Sequence, residues 1–599
     1  MAQVSGLVVR QPSIYLVVAP LVALTALSTT PSLGGVALLL GVLQLHAHTF
    51  LPRGKALSHG VGQVLLLSLA SAITHLKPSL NALSSPSISV IVLACLSALS
   101  AAISLISISA AYYANRAVAT PWAKLTLFPA VWTTVWGAAA YISPVGRLVT
   151  WSPIIGLGPY GWIRPVFGQW GVDWITAAWA VVVAETVGGW LVGAAEAEFE
   201  DAPAATAHEN LVSYGTEDLT QTNGPPPERP RSRTASVPQP RHVFSLAGLL
   251  VALTVPSYFF TSLPSPTLSS PDITSLNVAC ALPQPMRSGE ITHAPTLADY
   301  THETSTLNPV ADIILWPEGA VRFDRPGEKE EAFKDIMDKM PSKKLYGISF
   351  EEYTLEGPSN RRNTPGIRRN GFALLNKEGI VMEYYKRMLV PIAESFALTA
   401  YSDPPSVYTW EVGMPKDWAK TKWSSNPNHT RPIPITASIC LDFSSSFSFS
   451  ALDTRPALIL APARTWHISV GYAMWEQARA RAEELGSMVL WCDGGDGGVS
   501  GVAGAGMHDV VQVGRGSWVK RIGVAYPPDQ DRTVYSWGGG WAALVAAWGL
   551  AGVGGAAEAG LLMLGRSGDV RVLRGIRSIG EKVMNRLRIR REEERPLLE

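Results

Sequence analysis

A helical membrane bundle that carries an α/β domain between its last two spans is the fold class this sequence predicts. Three observations lead there. Apolar runs of membrane-spanning length recur through the first half of the chain and return once near the C-terminus. Charged residues are only 16% of 599, and the mean hydropathy is +0.15, a low charge and high apolarity for a soluble chain of this size. Between the last two apolar runs, short strand-like segments alternate with helical ones, the pattern of an α/β domain. A net charge of +1 offers no basic surface for nucleic acid.

The apolar runs are Ser13–Ser28, Leu33–Phe50, Val61–Thr74, Ser87–Ala114, Trp122–Ile142, Trp170–Ala195, Val243–Thr261 and Trp537–Leu564. A spanning helix needs about 20 mostly apolar residues. Eight spans are expected, with Val61–Thr74 short enough to be a buried or tilted segment instead. Arg10 ahead of the first run resembles a signal-peptide n-region, but more spans follow at once, so a retained helix is expected. Residues 1–195 form a six-helix membrane domain and 243–261 a seventh helix. Residues 262–536 form the separate domain, 537–565 the eighth helix and 566–599 a basic tail. Residues 196–242, acidic and then rich in Pro, Arg and Ser, read as a disordered cytoplasmic linker whose basic half lies near anionic head groups.

Lys and Arg near span ends are retained on the cytoplasmic side. With Arg10 inside, Arg53, Lys55, Arg116, Lys124, Arg229, Arg231, Arg233, Arg241 and the tail from Arg566 to Arg595 fall inside too. Only Lys77, Arg147 and Arg164 fall in outside loops. Residues 262–536 are then lumenal or extracellular, in a secretory-pathway membrane such as the endoplasmic reticulum. The sequon Asn428-His429-Thr430 lies among them, which makes Asn428 a candidate for glycosylation. Of the four cysteines, Cys280, Cys440 and Cys492 are in the outside domain, so one thiol there stays free. Cys440 is the candidate, and the pairing of Cys280 with Cys492 is left open.

Within the domain, Ser275–Ala281, Ile313–Trp316, Leu345–Phe350, Gly371–Leu375, Ile433–Ile439 and Ala457–Leu460 have the composition of buried strands. Lys329–Met340 and Val470–Leu485 have helical spacing. Residues 401–431 show neither period. Their Trp410, Trp418 and Trp423 suggest either a lid at the membrane interface that gates acceptor entry or a flap packed on its own domain.

Three short stretches carry the chemistry. Glu318 stands in Ile-Leu-Trp-Pro-Glu-Gly-Ala, Lys386 in Glu-Tyr-Tyr-Lys-Arg-Met-Leu-Val-Pro-Ile-Ala-Glu, and Cys440 in Ile-Thr-Ala-Ser-Ile-Cys-Leu-Asp-Phe. A cysteine attacks as thiolate, so a neighbour must take its proton, and a shielded glutamate is such a base. A fixed ammonium then stabilises the oxygen that becomes negative when a carbonyl is attacked. These roles need no metal and no cofactor. Taken singly, each residue has a plain structural explanation: a buried small hydrophobe, a turn, a solvated face. Their joint occurrence in this order is what points to catalysis.

The trio resembles the Glu-Lys-Cys triad of the nitrilase (carbon-nitrogen hydrolase) superfamily. With the flanking membrane runs, the chain is similar to its membrane branch, the apolipoprotein N-acyltransferases. Leu-Phe-Pro-Ala-Val-Trp at 127–132, Pro-Val-Phe-Gly-Gln-Trp-Gly at 165–171 and Ala-Pro-Ala-Arg-Thr-Trp-His at 461–467 are further points of likeness. The resemblance implies a nitrilase-like α-β-β-α sandwich between the last two of about eight spans. It also implies supporting roles for Glu394, for Trp466 beside the acyl site, and for Asp442, although the family favours an aromatic residue and Glu where this chain has Leu441-Asp442. Asp493-Gly-Gly-Asp-Gly-Gly stands where the family has an Asn-Asn-Gly type turn, which predicts a more permissive loop. The linker and the sequon look eukaryotic, as in a fungal member, so the family's lipoprotein acceptor does not carry over. The expected activity is transfer of an acyl chain from a membrane phospholipid, through a thioester on Cys440, to an amine of unknown identity, by a monomer. The alternative is a membrane-anchored amidase of the same triad, with water as second substrate.

Overall fold

Proline and serine set helix starts in the N-terminal half. Pro86 and Pro121 stand in the first turn of their helices, where the missing N–H has no intrahelical partner to lose. The Ser32 side chain accepts from the Gly35 N–H and caps the next. The computed structural model describes residues 11–118, 120–200, 240–259, 264–287, 290–291, 293–355, 366–415, 418–424 and 426–566. Most of the linker, the basic tail and Arg10 lie outside the described residues. The helices are α1 (Tyr15–Ala26), α2 (Leu33–Phe50), α3 (Ala56–Ser79), α4 (Pro86–Asn115), α5 (Pro121–Ile142), α6 (Arg164–Glu200) and α7 (Pro240–Ala252). A further long helix, Val534–Arg566, follows the separate domain.

Among the described residues, seven helices are long and apolar enough to cross a membrane, with 241–259 counted as one. The third run is not the short one: it extends in both directions into the 24 residues of α3, whereas α1 has 12 residues with Pro20 inside. The seventh run breaks after Ala252 and resumes at Pro256–Phe259, since Pro256 has no N–H to continue the ladder. α3 leaves Leu57, Val61, Leu65, Leu69 and Ile73 each more than half exposed, one stripe at four-residue spacing. α4 buries Ser97, Ser100, Ser104 and Ser107 and turns Ile91, Leu99 and Ile106 outward. Small residues inside with large apolar ones outside is how helices pack in lipid. Tyr141, Tyr258, Phe259, Trp537 and Trp541 are exposed at the helix ends nearest the separate domain.

That domain has four layers. One sheet contains β1 (Ile273–Cys280), β2 (Ile313–Leu315), β3 (Val321–Phe323), β4 (Leu345–Leu355), β5 (Gly366–Leu375), β6 (Ile380–Tyr385) and a last strand, Trp518–Ala525, which pairs with β1. The other contains β7 (Tyr408–Gly413), β8 (Thr430–Ala437), β9 (Leu458–Ala463), β10 (Met488–Asp493), β11 (Val499–Gly504) and β12 (Met507–Val513), in reverse chain order from edge to edge. Alternation assigns the faces. Leu276, Val278, Cys280, Ile313 and Leu315 pack with Ile433, Ile435 and Leu458 between the sheets. Ala279, Ile314 and Trp316 face out against Tyr300 and Leu307 of α8 (Leu297–Leu307) and Phe333 and Ile336 of α9 (Glu328–Lys339). α10 (Ile468–Leu485) covers the second sheet with Met474, Trp475 and Ala478. Cys280 and Cys492 form a disulfide that joins β1 to β10, one strand from each sheet.

The described residues of 401–431 are not featureless. They hold β7 and a helical turn at Lys420–Trp423. Trp410 belongs to the inter-sheet core, and Trp423 is fully buried. The guanidinium of buried Arg431 lies 3.9 Å from the Trp423 ring centre and 4.3 Å from that of Tyr526, and it donates to the Ser270, Pro271 and Ile273 carbonyls. The segment is a flap riveted to the start of β1. The Gly-rich stretch after Asp493 is also tight: a Cβ at Gly495 would lie 1.6 Å from the Thr465 carbonyl oxygen, so glycine serves close approach there.

The α1–α2, α3–α4 and α5–α6 connections all meet the sandwich, and these are the connections that charge asymmetry assigns to the outside. Thr29, Thr30 and Ile155 face Ile468, Ser469 and Tyr472 across a cavity of about 340 Å³. The Trp466 indole donates to the Pro78 carbonyl at 2.9 Å. Arg147 pairs with Asp173 at 2.9 Å and donates to Ser446 Oγ at 2.8 Å, while Arg481 donates to the same oxygen at 2.7 Å and pairs with Glu484 at 2.7 Å. Arg164 pairs with Glu483. Two of the three basic residues of the outside loops are thus committed to carboxylates.

Candidate active site

The three motif residues come from three strand ends. β2 ends in Leu315, and the chain turns through Trp316-Pro317 so that the Glu318 N–H donates to the Ala463 carbonyl at the end of β9. β6 ends at Tyr385, and the Lys386 N–H continues the ladder to the Asn370 carbonyl at 2.9 Å. β8 ends at Ala437, and Cys440 opens a 3₁₀ turn, Cys440–Ser444, with φ of +41°. That conformation is strained for a residue with a Cβ and persists only where neighbours over-determine it.

Those neighbours can be named. The Asp442 carboxylate accepts from the Arg387 and Met388 N–H groups at 3.2 and 2.7 Å, from the Tyr384 hydroxyl at 2.7 Å and from the Ile439 N–H at 3.3 Å. Asp442 therefore ties the turn carrying Cys440 to the segment carrying Lys386. Burial, the larger influence, pushes its pKa up, and the hydroxyl, Lys386 and these N–H groups pull it back. From the helical side, Gly146 presses on the same turn: a Cβ there would lie 2.5 Å from the Ser444 carbonyl oxygen, and its φ is +55°.

Lys386 is fully buried between two carboxylates. Its Nζ donates to Glu318 Oε1 at 2.6 Å and to both oxygens of Glu394 at 2.8 Å. Burial disfavours the ammonium, but the charges of Glu318 and Glu394 and the Cys440 sulfur outweigh it and hold the lysine pKa above its usual range. Asn370, not singled out by the sequence, donates from Nδ2 to Glu318 Oε1 at 2.8 Å. Among the described residues none bonds to Glu318 Oε2. Burial, then the Glu318 charge, push the Cys440 thiol well above its usual pKa, against the pull of Lys386 and the Arg464 backbone N–H. Burial and the Glu318 charge also raise Glu394, whose Oε2 accepts from the Val390 N–H.

The remaining sequence candidates lie elsewhere. Trp466 is about one-third exposed and docks on the end of α3 through Pro78. Asn428 is exposed in the turn before β8. Among the described residues no cluster of His, Cys, Asp and Glu has the composition of a metal site.

No family model and no curated protein matches the chain. Solved structures do. An amidase from Nesterenkonia sp. is 18% identical over 42% of this chain and 91% of that one, with a TM-score of 0.29. Nit3 of Saccharomyces cerevisiae, a member of branch 10 of the nitrilase superfamily, is 14% identical over 44% and 93%, with a TM-score of 0.30. A glutamine-dependent NAD+ synthetase from Acinetobacter baumannii is 12% identical over 44% and 50%, with a TM-score of 0.29.

Proposed function

We propose that this chain is an integral membrane acyltransferase that loads a fatty acyl group from a phospholipid onto Cys440 and passes it to an amine. The observation that carries this reading is the Lys386 ammonium held between Glu318 and Glu394, with Glu318 Oε2 unbonded among the described residues.

The chemistry follows from the groups in place. Glu318 Oε2 takes the thiol proton as sulfur attacks the ester carbonyl carbon. The new C–S bond pushes the carbonyl π electrons onto oxygen, which Lys386 and the Arg464 N–H then stabilise; one such donor is worth roughly 3 kcal/mol, about a hundredfold in rate. Collapse breaks the ester C–O bond, and the Glu318 proton goes to the departing lysophospholipid alkoxide. The amine then attacks the thioester, Glu318 accepts its proton, and thiolate leaves to be reprotonated.

The membrane setting is supported by the outward apolar stripe of α3 and the inward serines of α4. An acyl chain drawn out of lipid forfeits about 0.8 kcal/mol per methylene, so a donor-loading enzyme has reason to sit in the bilayer. The inter-sheet disulfide suits an oxidising, lumenal side. Intact-mass measurement of protein purified from membranes tests the reading: the wild type carries an acyl adduct removed by neutral hydroxylamine, and Cys440→Ala, still folded, carries none. An equal adduct on the alanine variant refutes it. Rapid discharge of the adduct by water alone, with no amine product, assigns the chain to the amidase class.

A further inference from the structure

A cavity of about 460 Å³ opens beside Glu318, lined in part by Tyr300, Arg322, Glu328, Arg464 and Arg515. Its charges are mostly spent. Glu318 is held by Lys386 and Asn370, and Glu328 accepts from the Asp324 and Arg325 N–H groups. Arg322 pairs with Asp324, and Arg515 with Asp496. Arg464 is the exception: among the described residues its guanidinium has no ion-pair or hydrogen-bond partner. The side chain lies over the turn after Glu318, where a Cβ on Gly319 would be 4.0 Å from its Nη1 and 3.6 Å from Glu351 Oε1; Glu351 in turn faces Arg368 at 3.9 Å. The same residue's backbone N–H faces the Cys440 sulfur. One arginine therefore spans the distance from nucleophile to cavity.

We propose that this cavity is an anion subsite in which Arg464 binds the phosphate or carboxylate of the molecule whose reacting group meets Cys440. An unpaired guanidinium presents a planar fork that fits either oxyanion with two parallel hydrogen bonds. Tyr300, stacked on Trp316 with ring centres 4.9 Å apart, gives the cavity a rigid wall. The glycerol backbone of a phospholipid separates ester carbonyl from phosphate by a span comparable to that between the Arg464 N–H and its own guanidinium. An amino-acid acceptor brings a carboxylate equally close to its amine. The inference rests on the acyl-transfer reading for its substrate.

The test uses the full chain in lipid nanodiscs, with Arg464→Gln and Arg464→Lys, both at an exposed position and checked for an unchanged melting profile. Binding of sn-glycerol 3-phosphate and of acetate is measured by ligand-observed NMR. Loading of Cys440 is compared between phosphatidylglycerol and diacylglycerol, and its discharge between glycine and glycinamide. Arg464→Gln should weaken anion binding roughly tenfold, with Arg464→Lys in between. It should also slow one anionic partner about tenfold more than its neutral counterpart: the phospholipid if the phosphate is the ligand, glycine if the carboxylate is. Unchanged binding overturns the proposal, as does weakened binding with no discrimination in either half-reaction. If wild-type Cys440 never loads, the function fails separately, and Arg464-dependent anion binding alone then decides the subsite.

Discussion

Replacing Lys386 by Met removes the cation held between Glu318 and Glu394 while keeping the length of the side chain. With the lysine, the two carboxylates and one ammonium sum to one negative charge in a site where Lys386 is 1% and Glu318 6% exposed. Without it they sum to two. Breaking a buried ion pair from one side costs roughly 3–5 kcal/mol. At about 2–4 °C per kcal/mol for a domain of this size, the melting temperature should fall on the order of 10 °C at pH 8. The loss depends on pH with a definite sign. Burial and the Glu318 charge already raise the folded Glu394 carboxyl, and the variant loses the ammonium that pulls it back, so this group is best tolerated when protonated; the deficit is smallest near the unfolded carboxylate pKa and grows as pH rises through the raised folded value. Fluorescence-detected melting from pH 5 to pH 8 reads this directly. Adding Glu394→Gln to Lys386→Met returns the site to one negative charge and should recover several degrees. A Lys386→Met protein that melts within about 2 °C of wild type at pH 8, with no slope in pH, would show that Lys386 does not hold these carboxylates together.

Three further outcomes follow from the geometry. Cys280→Ser should cost up to about 5 kcal/mol, the chain-entropy figure for a link spanning 212 residues, and added reductant should lower the wild-type melt but not the variant's. Trp423→Ala should destabilise by roughly 3–5 kcal/mol and slow both half-reactions alike, because the ring is core under Arg431; selective loss of acceptor transfer in a stable variant would revive the lid. Asn428→Gln should abolish a glycosidase-sensitive mass shift in microsomes, and a wild type lacking that shift would put the sandwich on the other side.

Much of the site was legible because its chemistry lies in residue types inside short motifs. Glu318 and Cys440 each follow a buried strand and Lys386 a half-exposed edge strand, and the structure brings Glu394 and Asp442 to the same place. Asn370 and Tyr384 were not legible: each acts through strand register, Asn370 by lying opposite Lys386 across the β5–β6 pair, and register is not written in local sequence. β10 has every side chain buried and so no alternation to read, and β11 is interrupted by Gly501 and Gly504. α8 is rich in threonine, a weak helix former, and is set by its Thr296–Asp299 capping box.

The seam between helices and sandwich constrains how the protein can be recombined. Arg147, Asp173, Arg481 and Glu484 are each at most 3% exposed, and the first two come from the helical half while the last two come from α10. A chimera that takes its helices from one relative and its sandwich from another inherits half of this network from each parent. Unless Arg147, Arg164, Asp173, Arg481, Glu483 and Glu484 travel as one set, unmatched charge is buried beside Ser446, six positions past the nucleophile, and the graft fails at that join.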